Sequence, residues 1–75
     1  MRKSKYPNLQ KEIMEAGMTY KAAAEKAGIP YKTMWQYMAG KRQPSVGAAW
    51  RITKALFPTR RIEYLFYEDS EEAAR

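Results

Sequence analysis

Residues 19–40 have the sequence TYKAAAEKAGIPYKTMWQYMAG, which is the most informative part of the chain about its fold. Its small and apolar residues are spaced as in two short helices that cross closely. Gly28 can adopt the left-handed conformation that a sharp turn between helices requires. Ala24 leaves room for the second helix, and Met34, ten positions later, fills the gap between the two. This spacing of a small residue, a glycine and an apolar residue favours a helix-turn-helix.

Apolar residues recur at helical spacing in three further stretches, and no stretch alternates apolar and polar residues over the length of a strand. Thr19 and Ser45 are the expected N-caps of the second and fourth helices. The predicted helices span residues 8–16, 20–27, 30–39, 46–57 and 60–66. We therefore predict an all-α protein with three parts: a basic flexible arm over residues 1–7, a helix-turn-helix domain over 8–67 and an acidic tail over 68–75.

The candidate core consists of the apolar residues that face inward on these helices: Leu9, Ile13, Met18, Ala23, Ala24, Ala27, Ile29, Met34, Tyr37, Val46, Ala49, Trp50, Ile52, Leu56, Ile62, Leu65 and Phe66. Burial of such a core offsets the loss of chain entropy on folding by only a small margin. This small margin favours additional stabilisation by a partner subunit. The candidate residues for that subunit interface follow the fourth helix: Arg60, Arg61, Tyr64, Phe66 and Tyr67.

Composition excludes several classes of protein. The 75 residues include no Cys and no His, which rules out disulfide frameworks, zinc fingers and His-based catalytic triads. No apolar run approaches the ~20 residues of a membrane helix, and the N-terminus lacks the apolar stretch of a signal peptide. We expect a cytoplasmic protein with no metal, cofactor, membrane or small-molecule ligand. We do not expect an enzyme either, because a bundle of this size leaves little room for a pocket.

The net charge of +6 is unevenly distributed along the chain. Residues 1–45 contain nine Lys or Arg and three Glu, whereas residues 46–75 contain five charges of each sign. A polyanionic partner would therefore bind the first part of the chain. The alternative is that the basic surface only keeps the protein soluble.

The third helix has two different faces when its residues are placed about 100° apart. One face is a plausible core stripe: Pro30, Met34, Tyr37 and Met38. The opposite face mixes aromatic, basic and amide side chains: Tyr31, Lys32, Trp35, Gln36 and Ala39. In a DNA major groove, a Lys can donate to guanine and a Gln can pair with adenine through two hydrogen bonds. Alternatively, Tyr31 and Trp35 pack against the N-terminal arm or a neighbouring subunit.

Six short segments carry a resemblance to a known family: GMT (17–19), AEKAGI (24–29), TM (33–34), GKRQPS (40–45), KALFP (54–58) and IEYLF (62–66). With them, residues 8–66 resemble the Cro/C1-type (XRE-like) helix-turn-helix domain of phage and mobile-element repressors. The resemblance implies a five-helix, lambda-repressor-like bundle that binds double-stranded DNA and regulates transcription. It also implies a bacterial or phage-encoded protein at the nucleoid, acting as a homodimer on a palindromic site.

The resemblance further implies which residues contact the duplex. Base contacts would come from the outward positions of the third helix: Tyr31, Lys32, Trp35 and Gln36. Backbone contacts would come from Tyr20, Thr33, Lys41 and Arg42, together with N–H groups at helix N-termini. Tyr20 also shares a helix face with three alanines, so its ring is equally a candidate to cover the core.

The chain also departs from the family pattern. Ala22 and Ala23 stand where the family usually has an acidic residue and a bulky aliphatic one. Pro30, Tyr31 and Trp35 stand where small or polar residues are common, so no relative's base preference can be transferred. Because Tyr and Trp dominate protein interfaces, the alternative function is an antitoxin or protein-interaction adaptor on the same fold.

Overall fold

A computed structural model describes residues 4–68 of the chain, and this part is all-α without any β-strand. Its helices are α1 (Pro7–Glu15), α2 (Tyr20–Ala27), α3 (Tyr31–Met38), α4 (Val46–Leu56) and α5 (Ile62–Leu65). The predicted order of helices is confirmed, with ends that differ by one or two residues. None of these helices is long and apolar enough to cross a membrane. The predicted acidic tail lies outside the described residues, except for its exposed first residue, Glu68.

Side-chain caps begin α2 and α4, as the sequence predicts. The Oγ1 atom of Thr19 accepts a hydrogen bond from the backbone N–H of Ala22 at 3.0 Å. The Oγ atom of Ser45 does the same for Ala48, also at 3.0 Å. Each cap satisfies one of the N–H groups that have no partner within the first turn of a helix, so both helix starts are fixed by local sequence.

The turn between α2 and α3 is sharp because Gly28 adopts a left-handed backbone, with φ 76° and ψ 28°. The N–H of Ile29 donates to the carbonyl of Ala24 at 3.0 Å, which is the hydrogen bond of a Schellman motif. Pro30 follows with extended backbone and occupies the N-cap position of α3 without a side-chain capping hydrogen bond. It is exposed and does not join the core stripe predicted for this helix, because it precedes the first helical turn.

One buried cluster joins the five helices: Tyr6, Leu9, Ile13, Ala23, Ala24, Ala27, Met34, Tyr37, Met38, Ile52, Leu56 and Leu65. Most of the predicted core belongs to it or packs against its edge. Two predicted members are wrong, because Val46 is 75% exposed and Trp50 is 47% exposed. The inner side of α4 is formed by Ala49, Ile52, Thr53 and Leu56, so both exposed side chains lie on its outer side.

The N-terminal segment is packed against α3, which corrects the prediction of a flexible arm for residues 4–7. Ser4 and Tyr6 are buried, and the Ser4 hydroxyl donates to the Met38 carbonyl at 2.8 Å. The backbone N–H of Lys5 donates to the same carbonyl at 2.9 Å. Met38 ends α3, where carbonyls lack partners within the helix. The segment is therefore held in place because it completes the hydrogen bonding of the α3 C-terminus.

A polar cluster connects α1 to α5. The carboxylate of Glu12, which is buried, accepts a hydrogen bond from the Tyr64 hydroxyl at 2.9 Å and lies 3.4 Å from the Arg60 guanidinium. The Asn8 side chain donates to the Tyr64 carbonyl at 2.9 Å. The hydrogen bond to Glu12 raises the pKa of the Tyr64 hydroxyl, and burial adds to the rise. Arg60 and Tyr64 thus have their polar partner, Glu12, within the monomer.

Replacing Tyr6 by Ala is expected to destabilise the fold severely. The Tyr6 ring is 2% exposed and meets the Phe66 ring edge-on, with centroids 5.2 Å apart. Truncating a buried aromatic side chain costs about 3–5 kcal/mol, which is a large part of the stability of a small domain. Urea unfolding followed by circular dichroism measures the loss. Tyr67→Ala, at a tyrosine that is 52% exposed, is the matched control and should change stability by less than about 0.5 kcal/mol. Equal stabilities for the two variants would contradict the packed N-terminal segment.

Candidate nucleic-acid interface

Helix α3 presents one side to the core and the other to solvent. Met34, Tyr37 and Met38 are buried on the inner side. We call the opposite side the α3 outer face, and it consists of Tyr31, Lys32, Trp35 and Gln36. Tyr31 is 51% exposed and Trp35 is 43% exposed. Lys32 is exposed and Gln36 is half-buried. Neither ring is buried against the N-terminal segment, and the structure brings all four predicted base-contacting residues to this single face.

The loop after α3, which includes Lys41 and Arg42, is hydrogen-bonded to the backbone of α3 and lies beside its outer face. The carbonyl of Gln36 accepts hydrogen bonds from the backbone N–H groups of Lys41 at 2.9 Å and Arg42 at 3.3 Å. The Lys41 ammonium lies 6.0 Å from the centroid of the Trp35 ring, within the range of a cation–π interaction. Two of the predicted backbone-contacting residues therefore lie directly beside the predicted base-contacting ones.

Tyr20 begins α2, and its half-buried ring packs against the core. Burial raises the pKa of the Tyr20 hydroxyl; the polar side chains of Gln10 and Ser4 lower this pKa by less, and neighbouring Tyr31 raises it further. The Tyr20 ring therefore covers the core, as its position on one helix face with three alanines predicts. A contact between its hydroxyl and a DNA phosphate stays a prediction.

Thr33, the remaining predicted backbone contact, lies in the first turn of α3 and is half-buried. The side chain of Gln10, in contrast, was not predicted to lie near the interface. The helical periodicity of the sequence does not distinguish Gln10 from any other polar residue of α1. Its proximity to Tyr20 depends on how α1 packs in the tertiary fold. The burial of Ser4 was missed for the same reason.

The electrostatic character of this region is uniformly positive. Between Glu25 and Glu63 the chain has no acidic residue. Helix α3 and the loop after it therefore carry only cationic charges, and Lys32, Lys41 and Arg42 are all exposed. A cluster of exposed cations attracts a polyanion and raises its rate of association. Residues 4–68 contain no group of three or more His, Cys, Asp or Glu side chains that could hold a metal ion.

The combination of side chains on the α3 outer face suits the edges of base pairs. A Lys ammonium donates hydrogen bonds, a Gln amide both donates and accepts them, and aromatic rings contact thymine methyl groups or sugars. Because the inner side of α3 is fixed in the core, these groups are presented together on a rigid element.

The Gly28 turn sets the direction of α3, and Gly28→Ala is expected to destabilise the protein by about 1–2 kcal/mol. A Cβ at this position would meet no atom within 4 Å, so the cost is backbone strain from the positive φ of 76° and not a clash. Chemical denaturation measures it. Gly47→Ala is the matched control, since Gly47 lies in α4 without a positive φ and should gain up to about 1 kcal/mol in helix propensity. A neutral Gly28→Ala variant would refute the left-handed turn.

Comparison with protein-family models, curated proteins and solved structures found no match to this chain. The functional conclusion accordingly depends on the residues and the geometry of the α3 outer face and the elements that hold it.

Proposed function

We propose that this protein is a sequence-specific, double-stranded DNA-binding regulator of transcription, similar to Cro/C1-type repressors, with α3 in the major groove. The observation that carries the proposal is the α3 outer face, where two exposed aromatic rings, a Lys and a Gln share one side of a helix. Its other side is fully packed. A major groove about 12 Å wide admits an α-helix presented in this way.

The packing of α2 against α3 supports a helix-turn-helix within a lambda-repressor-like bundle. Ala23, Ala24 and Ala27 are buried in the same cluster as Met34, and Gly28 makes the turn between the helices. In such a motif the second helix lies in the groove while the first crosses the DNA backbone. The five helices in their observed order accommodate this arrangement.

Sequence specificity would come from two polar side chains and two rings. Lys32 would donate to the O6 and N7 acceptors of a guanine, and Gln36 would pair with the N6 and N7 atoms of an adenine. Tyr31 and Trp35 flank them and would contact thymine methyl groups or the sugar-phosphate backbone. The exposed cation of Lys41 beside Trp35 would then lie close to a phosphate.

Affinity would come largely from contacts to phosphates. Lys41 and Arg42 are exposed and lie next to α3, and Thr33 lies in its first turn. Backbone N–H groups at the starts of α2 and α4 add donors of the kind that bind phosphate oxygens. Regulation of transcription places the protein in the cytoplasm at the nucleoid.

A homodimer on a palindromic site follows from the short length of α3, the helix that would contact the bases. One short helix contacts only a few base pairs, which gives too little discrimination against competing genomic sites. A two-fold dimer doubles the site and places its half-sites about 34 Å apart, one turn of DNA.

The second candidate function is an antitoxin or protein-interaction adaptor. It is favoured by the same two rings, because exposed Tyr and Trp side chains are enriched at protein hot spots. A toxin encoded by a neighbouring gene would favour this candidate, whereas an adjacent divergent promoter and integrase would favour a phage switch.

Selection of bound sequences from random duplexes tests the proposal. Affinity for the selected duplex should fall steeply as salt rises, because binding releases counterions from phosphates. Lys32→Ala and Gln36→Ala should each relax the preference at one base pair and cost about 1–3 kcal/mol there. Arg42→Ala should weaken binding to all duplexes alike.

The matched control is Lys11→Ala, which removes an exposed lysine of α1. It should leave the preferred sequence unchanged. If the Lys32 and Gln36 variants selected the same sequence as the natural protein, the assignment of base contacts would be wrong. If no duplex bound at low salt, DNA binding itself would be rejected in favour of a protein partner.

A further inference from the structure

The outer side of α4 carries an apolar strip that has no partner among residues 4–68. We call this strip the α4 stripe, and it consists of Val46, Gly47, Trp50 and Lys54. Val46 is the most exposed large apolar residue of the described chain, and nearly half of Trp50 is exposed. A shallow groove follows the stripe, with Arg51 and Ala55 on its far side. The Lys54 ammonium lies 5.3 Å from the centroid of the Trp50 ring and borders it on one side.

Nothing within the monomer explains why position 47 is a glycine. It lies in the first turn of α4 without a positive φ, so its backbone conformation does not require glycine. A Cβ at this position would meet only the Ser45 Oγ atom, at 3.9 Å. Glycine destabilises a helix relative to alanine, and its usual benefit is the close approach of another group. The approaching group would come from outside this monomer.

We propose that the α4 stripe is a homodimer interface, in which α4 packs antiparallel against α4 of a second copy about a two-fold axis. The Trp50 ring of each copy lies over Gly47 of the other. A two-fold interface requires that a feature and its complement occur on the same surface. The protruding Trp50 ring and the missing side chain of Gly47 meet this requirement, because the two residues lie about one helical turn apart on α4.

The charges at the two ends of the stripe are complementary in the same orientation. Arg51 and Lys54 lie toward the C-terminal end of α4. At its N-terminal end, Val46 lines a second groove together with Glu63 and Glu68. Both carboxylates also have a cation beside them in the monomer, Arg61 at 4.0 Å from Glu63 and Lys5 at 3.8 Å from Glu68. Antiparallel packing brings the cationic end of one copy to the acidic edge of the other. Parallel packing would place the cationic ends together, so the charges favour the antiparallel arrangement.

The sequence alone pointed to a different interface, formed by residues after α4. Four of its five candidates have partners inside the monomer. Arg60 and Tyr64 bind Glu12, and the Phe66 ring packs on Tyr6. The Arg61 guanidinium lies 4.0 Å from the Glu63 carboxylate. The α4 stripe instead exposes Val46 and Trp50, and Trp is among the residues most typical of interface hot spots.

This interface deepens the proposed function, on which its biological use rests, because a two-fold dimer is what a palindromic site requires. Dimerisation can nevertheless be measured without DNA, so the two proposals can fail separately. A protein that dimerises through α4 but binds no duplex would refute only the DNA-binding function.

Sedimentation equilibrium of the full 75-residue chain, at concentrations up to about 1 mM, tests the interface. We expect a reversible equilibrium between monomer and dimer. Trp50→Ala should raise the dissociation constant of the dimer at least about tenfold. Gly47→Ala should also raise it, while increasing the melting temperature of the monomer; a glycine with a purely local role would change only the melting temperature. Trp35→Ala, at an exposed ring of the α3 outer face, is the matched control and should leave the dimer unchanged.

A charge exchange tests the orientation. Lys54→Glu should weaken the dimer, and the double variant Lys54→Glu with Glu63→Lys should recover most of the lost affinity. Monomers at every concentration would overturn the proposal, and so would a dimer that Trp50→Ala does not weaken.

Two further outcomes would show another occupant and likewise overturn the proposal. A monomer whose Trp50 is shielded from acrylamide, measured in a Trp35→Phe background, would indicate that residues 69–75 cover the stripe. An unchanged mass with weaker binding of Trp50→Ala to a single half-site duplex would indicate that the stripe contacts DNA.

Discussion

Helices α2 and α3 pack through three alanines and one methionine, and the candidate site depends on this contact. Ala23, Ala24 and Ala27 carry only a methyl group each, and all three are buried with Met34. The left-handed backbone of Gly28 brings α3 back against them. With a bulky side chain in place of Ala24, α3 could not keep its inner side in the core. Because that side is fixed, the opposite side is presented as one surface.

The other end of α3 is held by the N-terminal segment. Ser4 and Lys5 both donate hydrogen bonds to the carbonyl of Met38, and the buried Tyr6 ring anchors the segment in the core. Helix α3 is thus fixed at its first turn by the Gly28 turn and at its last turn by residues far away in sequence. A helix held at both ends loses little conformational entropy when it binds, so more of the contact energy contributes to affinity.

Local signals in the sequence were sufficient for the helices, their caps and the two faces of α3. Thr19 and Gly28 act on neighbouring residues, and the helical period, about 100° per residue, places Trp35 on a different face from Met34 without knowledge of the tertiary fold. Burial at Tyr6 and exposure at Trp50 were not predictable in this way, because each depends on which distant element packs there. A signal for Tyr6 existed, since the residue before a proline is restricted to extended backbone and an aromatic one is a core candidate.

In the proposed function, the α3 outer face is the surface that contacts DNA. Titration of the full chain with a single half-site duplex at low salt, followed by chemical-shift changes in 1H–15N spectra, tests this contact residue by residue. We expect the largest changes at residues 31–36, at the Trp35 indole and at residues 41–42, with little change at residues 11–15 of α1 and reversal by added salt. Changes concentrated on α1 with the Trp35 indole unaffected, or none at all, would contradict it.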